Sequence, residues 1–383
     1  MRTVKRNFLI AVCAVLGGLV LIGGAQADPT SDTPAGLVVF PEIAAGSGFD
    51  TVIQLSNTSN ELINVRCYWV NANGHCTNAP AQVCSSDSEC NGGICAPGWT
   101  ETDFRFTLTR NQPIAWVVSE GLPGTEFPLD GLERITQDGQ FNADSSIPPA
   151  PETPFTGELK CFEVDSADNP VARNDLKGEA TIVDTTDSPL DVSKYNGIGL
   201  RSTGFNDGND TLCLGGQPTD ECPEAEYEGC PNVVIVDHYF DGIEPVNGDG
   251  VSTDLFIVPC SQDFLNQTTF KTTVQFLVFN EFEQRLSTSI RIQCYEQITL
   301  SDIDTRSGDT GDDIYSIFNV AVQGTLTGQS RLRAVQTNET QIGHGILVTA
   351  EELHYDGQDH YASFNVDYAG RRNQADIIRA PRQ

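Results

Sequence analysis

The chain has 383 residues, 53 of them acidic against 22 basic, giving a formal charge of −31; it also holds 35 Gly, 20 Pro and 12 Cys. Such an acid surplus argues against a nucleic-acid or anionic-lipid partner, because phosphates are held by Lys and Arg. Two consequences stay open: solubility through self-repulsion, and binding of divalent cations.

Residues 1–27 read as an export signal. Arg2, Lys5 and Arg6 precede an apolar run over 8–22, and Ala25-Gln26-Ala27 offers a small-residue cleavage site before Asp28. No later stretch is long and apolar enough for a membrane-spanning helix. The mature chain is therefore expected to be exported and soluble: periplasmic, secreted or held at a cell surface.

A strand at 37–40 opens the first domain, and 51–70 (TVIQLSNTSNELINVRCYWV) reads as a hairpin around the turn-forming residues Ser56 to Asn60. Val65, Cys67 and Trp69 alternate with Arg66 and Tyr68, the period of a half-buried strand. The insert 76–95 holds Cys76, Cys84, Cys90 and Cys95 among few apolar residues, so it needs covalent staples. Its C-x5-C-x4-C tail resembles small cysteine-rich modules of secreted proteins, which implies no activity. A zinc site there would call for CxxC-like pairs that the insert lacks. Further strands are expected at 103–109, 114–118, 157–164 and 176–183, with a Pro/Gly/Asp-rich excursion over 119–155. The first domain closes at 205.

Residues 206–250 read as a loop-rich acidic bridge with Cys213, Cys222 and Cys230, and the apolar run 233–236 as a strand of unassigned domain. The second domain, 251–383, repeats the first. LVVFP ending at Pro41 matches LFIVP ending at Pro259, Thr51 matches Thr273, and Cys67 matches Cys294. A second hairpin covers 273–295, where Ile290, Ile292 and Cys294 alternate with Arg291, Gln293 and Tyr295. Strands follow near 317–322, 331–335, 346–349 and 362–366. Helical periodicity is nowhere sustained, so the expected class is all-β: two tandem β-sandwiches related by duplication. Their strand patterning resembles the immunoglobulin-like modules of bacterial secreted and surface proteins. That resemblance implies a fold and no functional residue, and the Cys–Trp–Cys signature of true immunoglobulin domains is missing.

Eleven cysteines lie beyond the signal, and export makes disulfides the default. Cys67 with Cys161 and Cys260 with Cys294 are the expected pairs outside the insert, which itself should carry two. The odd cysteine is either a buried thiol or a bond to another chain; the cluster Cys213, Cys222, Cys230 would hold it if it is exposed.

Calcium is the ligand the acids favour. Asp241, Glu244, Asn247, Asp249 and Asp254 crowd one segment, although Pro245 and Phe256 stand where an EF-hand would place its first and last ligands. A plain solvated turn is the alternative. Acidic loops at 302–313 and 206–210 are lesser candidates. His354 and His360 flank an Asp-Gly turn and should face each other, with Asp356 or Asp359 beside them as transition-metal ligands or as ordinary hairpin surface. Glycosylation sequons fall at Asn57, Asn209, Asn266 and Asn338. Phe282, at the tip of the second hairpin, is a contact for a partner or an anchor for its own turn. G-x-S-x-G, H-E-x-x-H, a phosphate-binding glycine loop and C-x-x-C-H are all absent from the sequence. The expected function is a non-enzymatic secreted or cell-surface structural or binding protein, calcium-stiffened, acting on another extracellular protein or on itself. The alternative is a secreted hydrolase of polysaccharide or peptide, its site built from the loops 119–155 and 184–250.

Overall fold

The computed structural model describes residues 29–380 except 97, 123–126, 130–131, 135–146, 187–189, 267, 269, 307–314 and 336–344. The signal, residues 123–126, 130–131 and 135–146 of the 119–155 excursion, residues 307–313 of the acidic loop 302–313, and Asn338 lie outside the described residues. The fold is all-β, and its α-helical content among those residues is one turn, α1 (Val320–Gln323).

In the first half the strands are β1 (Leu37–Ala45), β2 (Phe49–Asn57), β3 (Ile63–Asn71), β4 (Thr100–Leu108), β5 (Pro113–Val117), β6 (Phe155–Val164), β7 (Leu176–Asp184), β8 (Asp191–Asn196) and β9 (Ile198–Leu200). They form two sheets, ordered β9-β1-β6-β3-β4 and β8-β7-β2-β5. Phe40, Ile53, Leu55, Trp69, Phe106 and Trp116 fill the core between them. Next comes β10 (Thr211–Leu214).

The second half is built of β11 (Pro231–Tyr239), β12 (Gly250–Pro259), β13 (Gln262–Asp263), β14 (Lys271–Asn280), β15 (Arg285–Gln293), β16 (Glu296–Thr299), β17 (Thr327–Val335), β18 (Ile346–Tyr355), β19 (Asp359–Asn365), β20 (Asp367–Arg371) and β21 (Asp376–Arg379). One sheet runs β15-β14-β17-β11-β20. Its partner runs β12-β18-β19, with β16 beside β12, and a small sheet β10-β21-β13 joins the halves. Val236, Leu255, Ile257, Phe276, Phe318 and Leu332 form the second core.

Four expectations differ from the structure. The stretch 51–70 is not a hairpin, because β2 pairs with β7 and β5 while β3 pairs with β6 and β4 in the opposite sheet. Its counterpart 273–295 is a hairpin, with β14 paired to β15. The reason lies in β3 itself. Val65, Cys67 and Trp69 face the first core, yet Tyr68 and Val70 are buried too, in a third core that joins the halves. Tyr68 stacks on Phe264 at 4.5 Å between centroids. A strand covered on both faces belongs in the middle layer and not on an outer one. β1 pairs with β6 and β12 with β18, while β2 pairs with β7 and β14 with β17, all antiparallel.

The strand expected near 317–322 is instead the helical turn α1, capped by the Asn319 side chain, which accepts from the Ala321 amide. The bridge expected over 206–250 contains β11, which lies between β17 and β20 in the second sandwich. The run 233–236 therefore belongs to the second half.

Five disulfides are present among the described residues: Cys67–Cys161, Cys76–Cys90, Cys84–Cys95, Cys213–Cys222 and Cys230–Cys260. Cys67 and Cys161 stand directly opposite on β3 and β6. The expected Cys260–Cys294 bond is not formed. Cys260 leaves β12 against Gly345, where a Cβ would lie 2.6 Å from the Cys230 Cβ and 2.9 Å from the Cys260 Sγ, so the glycine makes room for that pair. Cys294 is buried just after β15, at a left-handed position (φ 68°) where its amide donates to the Phe270 carbonyl.

Candidate functional site

The five expected calcium ligands do not gather. Glu244 closes its own turn: its carboxylate accepts from the amides of Val246 (2.9 Å) and Asn247 (2.7 Å), and its amide donates to the Asp249 carbonyl at 2.8 Å. Asp241 uses its backbone to meet Phe318 and Val320. Asp254 sits in mid-β12, opposite Thr299 on β16 and Glu351 on β18. Among the described residues, the groups of three or more acid, His or Cys side chains with donor atoms within 4.8 Å of one another are Cys76/Cys84/Cys90 and Cys230/Cys260/Asp376. Their cysteines are spent in disulfides. His354 and His360 are cross-strand partners as expected; His360 lies 3.4 Å from Asp356, and the His354 ring packs edge-on against Tyr239. The Asn57 sequon is closed, because the Asn57 amide is buried and donates to the carbonyls of Glu61 and Thr109.

Asp254 instead joins a polar row at the junction of the halves. Strand register aligns Thr299, Asp254, Glu351 and Ser363 across β16, β12, β18 and β19. From the first half, Glu42 accepts from the Ser363 hydroxyl (2.9 Å), and the hydroxyls of Ser193 and Ser363 meet at 2.9 Å. Ser363 also donates to Glu351 at 3.2 Å. Burial, and then the neighbouring Glu351 charge, push the Glu42 carboxyl well above the usual range. Burial and Asp254 push Glu351 up to about 7. The Ser363 hydroxyl meets both carboxyls and so holds them close together in a buried place, where ionising both is disfavoured. Beside them Glu158, Lys160 and Gln262 form a second buried group, with Lys160 and Gln262 both donating to the Glu158 carboxylate. Glu42, Ser193, Glu351 and Ser363 are buried, as are all three members of the second group, while Asp254 and Thr299 are half-buried.

The surface that does face outward with unusual chemistry is the outer side of the β15-β14-β17 sheet. Along β14, Val274, Phe276 and Val278 point into the core. Lys271, Thr273, Gln275, Leu277 and Phe279 therefore point out. Register then places Arg285 beside Phe279, Ser287 beside Leu277, Ser289 beside Gln275 and Arg291 beside Thr273. From the other flank Arg331 lies beside Leu277 and Arg333 beside Gln275. Lys271, Arg285, Arg291, Arg331 and Arg333 are all exposed, and Arg331 covers the Phe279 ring at 5.5 Å.

Elsewhere the basic side chains are largely absorbed by acids. Arg66 pairs with Asp103, Arg105 with Asp168, Arg173 with Glu61, Glu163 and Asp175, Lys194 with Glu179, Arg372 with Asp376, and Arg379 with Glu221 and Asp263. Lys271, Arg285, Arg331 and Arg333 stand outside the ion pairs formed among the described residues. The sign reverses toward one end of the same sheet, where a cleft of about 460 Å³ is lined by Asp237, Tyr239, Phe279, Glu281, Gln329 and Glu352. The five bases are scattered from 271 to 333 in the sequence, and only the register of three strands brings them together. Compared with known proteins, the chain matches no family model and no curated protein.

Proposed function

We propose that this is a non-enzymatic, exported binding protein: a disulfide-stapled double β-sandwich that presents the basic outer face of β15-β14-β17 to an anionic partner. The observation that carries the reading is the set Lys271, Arg285, Arg331 and Arg333, exposed and outside the ion pairs formed among the described residues, in a chain with 53 acids. Arg110, Lys177 and Arg201 also lack an acid partner among the described residues, but they lie apart from this face, whereas these four share one sheet surface; exposed guanidinium groups are efficient receptors for carboxylates and other oxyanions. Five disulfides accord with an oxidising compartment outside the cytoplasm. No described helix is long and apolar enough to cross a membrane.

Chromatography on a sulfonate resin at neutral pH tests the reading. A chain of this net charge should pass such a resin unless one face is locally positive. Retention at low salt, abolished in Arg331→Gln/Arg333→Gln, is the expected result. Flow-through of the unaltered protein would remove the basis for the proposal.

A further inference from the structure

The geometry points to an anionic polysaccharide, laid flat across β15, β14 and β17, as the partner of this face. The inference rests on the binding role proposed above and adds the class of ligand.

The shape comes first. The bases line no pocket; they stand on an open sheet, Arg331 and Arg333 two residues apart on β17 and Arg285 two strands away on β15. At about 3.3 Å per residue and about 4.8 Å between strands, neighbouring cations are roughly 7–12 Å apart. That is a ladder of separated charges, suited to an extended polymer with an acid on each of several repeats. A single small anion would be held by converging donors.

The groups between the cations come second. Thr273, Gln275, Ser287 and Ser289 lie between the charged positions and offer hydroxyl and amide hydrogen bonds. Half-buried Leu277 and Phe279 give the face low apolar ground on which the C–H side of a sugar ring can rest. Apart from Arg, the centre of a protein–protein interface is depleted of charge and of Ser, and it is built on large buried anchors. Here charge and hydroxyls occupy the centre. A second copy of this chain would also bring its own large negative charge over the whole approach. The acidic cleft at the Asp237–Glu281 end repels an anionic polymer and marks where its path must stop.

Binding is measured for residues 28–383 by titration calorimetry against polygalacturonate and dextran sulfate, with neutral dextran and poly-glutamate as comparisons. Sedimentation velocity of the protein alone accompanies it. The expected result is binding to one or both anionic polysaccharides, none to neutral dextran, and weaker binding to poly-glutamate. Affinity should fall as salt rises and drop at least tenfold in Arg331→Gln/Arg333→Gln. Arg285→Gln, on the opposite flank, should weaken it separately; both sites are exposed, so thermal melts should match the parent. Equal or tighter binding of poly-glutamate would overturn the inference, as would self-association that disappears in the arginine variants. So would failure to bind either polysaccharide while retention on the sulfonate resin persists, a result that leaves the anion-binding reading intact.

Discussion

The Glu42–Glu351 pair makes the stability of this protein depend on pH in a direction opposite to that of an ordinary paired carboxylate. Glu351 is moved from an ordinary 4.5 to about 7, chiefly by burial and then by the Asp254 charge beside it. The folded state thus holds a proton that the unfolded chain releases near 4.5. Its contribution is fully present below that pH, declines as pH rises, and is exhausted above about 7. At about 1.4 kcal/mol per pH unit, the displacement corresponds to roughly 3 kcal/mol, assigned to the coupled pair and not to one residue. Urea unfolding across pH 4.5 to 8 reads this directly. The parent should lose a few kcal/mol over that range, and Glu42→Gln/Glu351→Gln should flatten the profile, because two amides keep the hydrogen bonds without the charge. Parallel profiles for parent and variant would refute the assignment of this pH dependence to the buried carboxyls.

Other consequences are as direct. Removing the Cys67–Cys161 bond, whose partners are 94 residues apart, with Cys67→Ala/Cys161→Ala should cost about 4–5 kcal/mol in urea unfolding on the chain-entropy argument; a loss under about 1 kcal/mol would contradict it. Phe264→Ala deletes the ring stacked between Tyr68 and Trp99 and should cost about 3–5 kcal/mol, with hydrogen exchange rising on both sides of the junction and not in one half alone. Melts in calcium and in EDTA should superimpose, since Glu244 is engaged by its own turn and Asp254 lies elsewhere; a midpoint several degrees higher in calcium would place a cation among these acids.

The fold class was legible because alternation is local: strands such as β4, β7 and β14 announce themselves residue by residue. What alternation does not carry is the layer a strand occupies. Arg66 and Tyr68 share a face of β3, and both are buried, Arg66 through its pair with Asp103; their polarity reads as a solvent face only until the second half covers it. The Cys67–Cys161 bond was accessible from strand spacing, whereas Cys230–Cys260 depends on the small side of Gly345 and on a boundary that the loop-rich reading of 206–250 concealed. The acidic segment 241–254 attracted attention through its density in sequence, but β12 carries Asp254 away from the turn. The basic face shows the reverse case. Its residues are unremarkable one at a time and become a surface only when β14 aligns with both of its neighbours.

The middle layer also governs how the chain reaches this state. The Glu42–Ser363 hydrogen bond joins residues 321 apart, and the outer face of β1, β3 and β6 acquires its cover only from the second half. Non-local pairing of this kind slows folding, since chain closure precedes the contacts that reward it. While the first half waits, Leu37, Val39, Tyr68 and Phe162 form an apolar plane open to any neighbouring chain. Refolding yield should therefore fall steeply with protein concentration while the final stability does not, so that the hazard of this architecture lies in its kinetics.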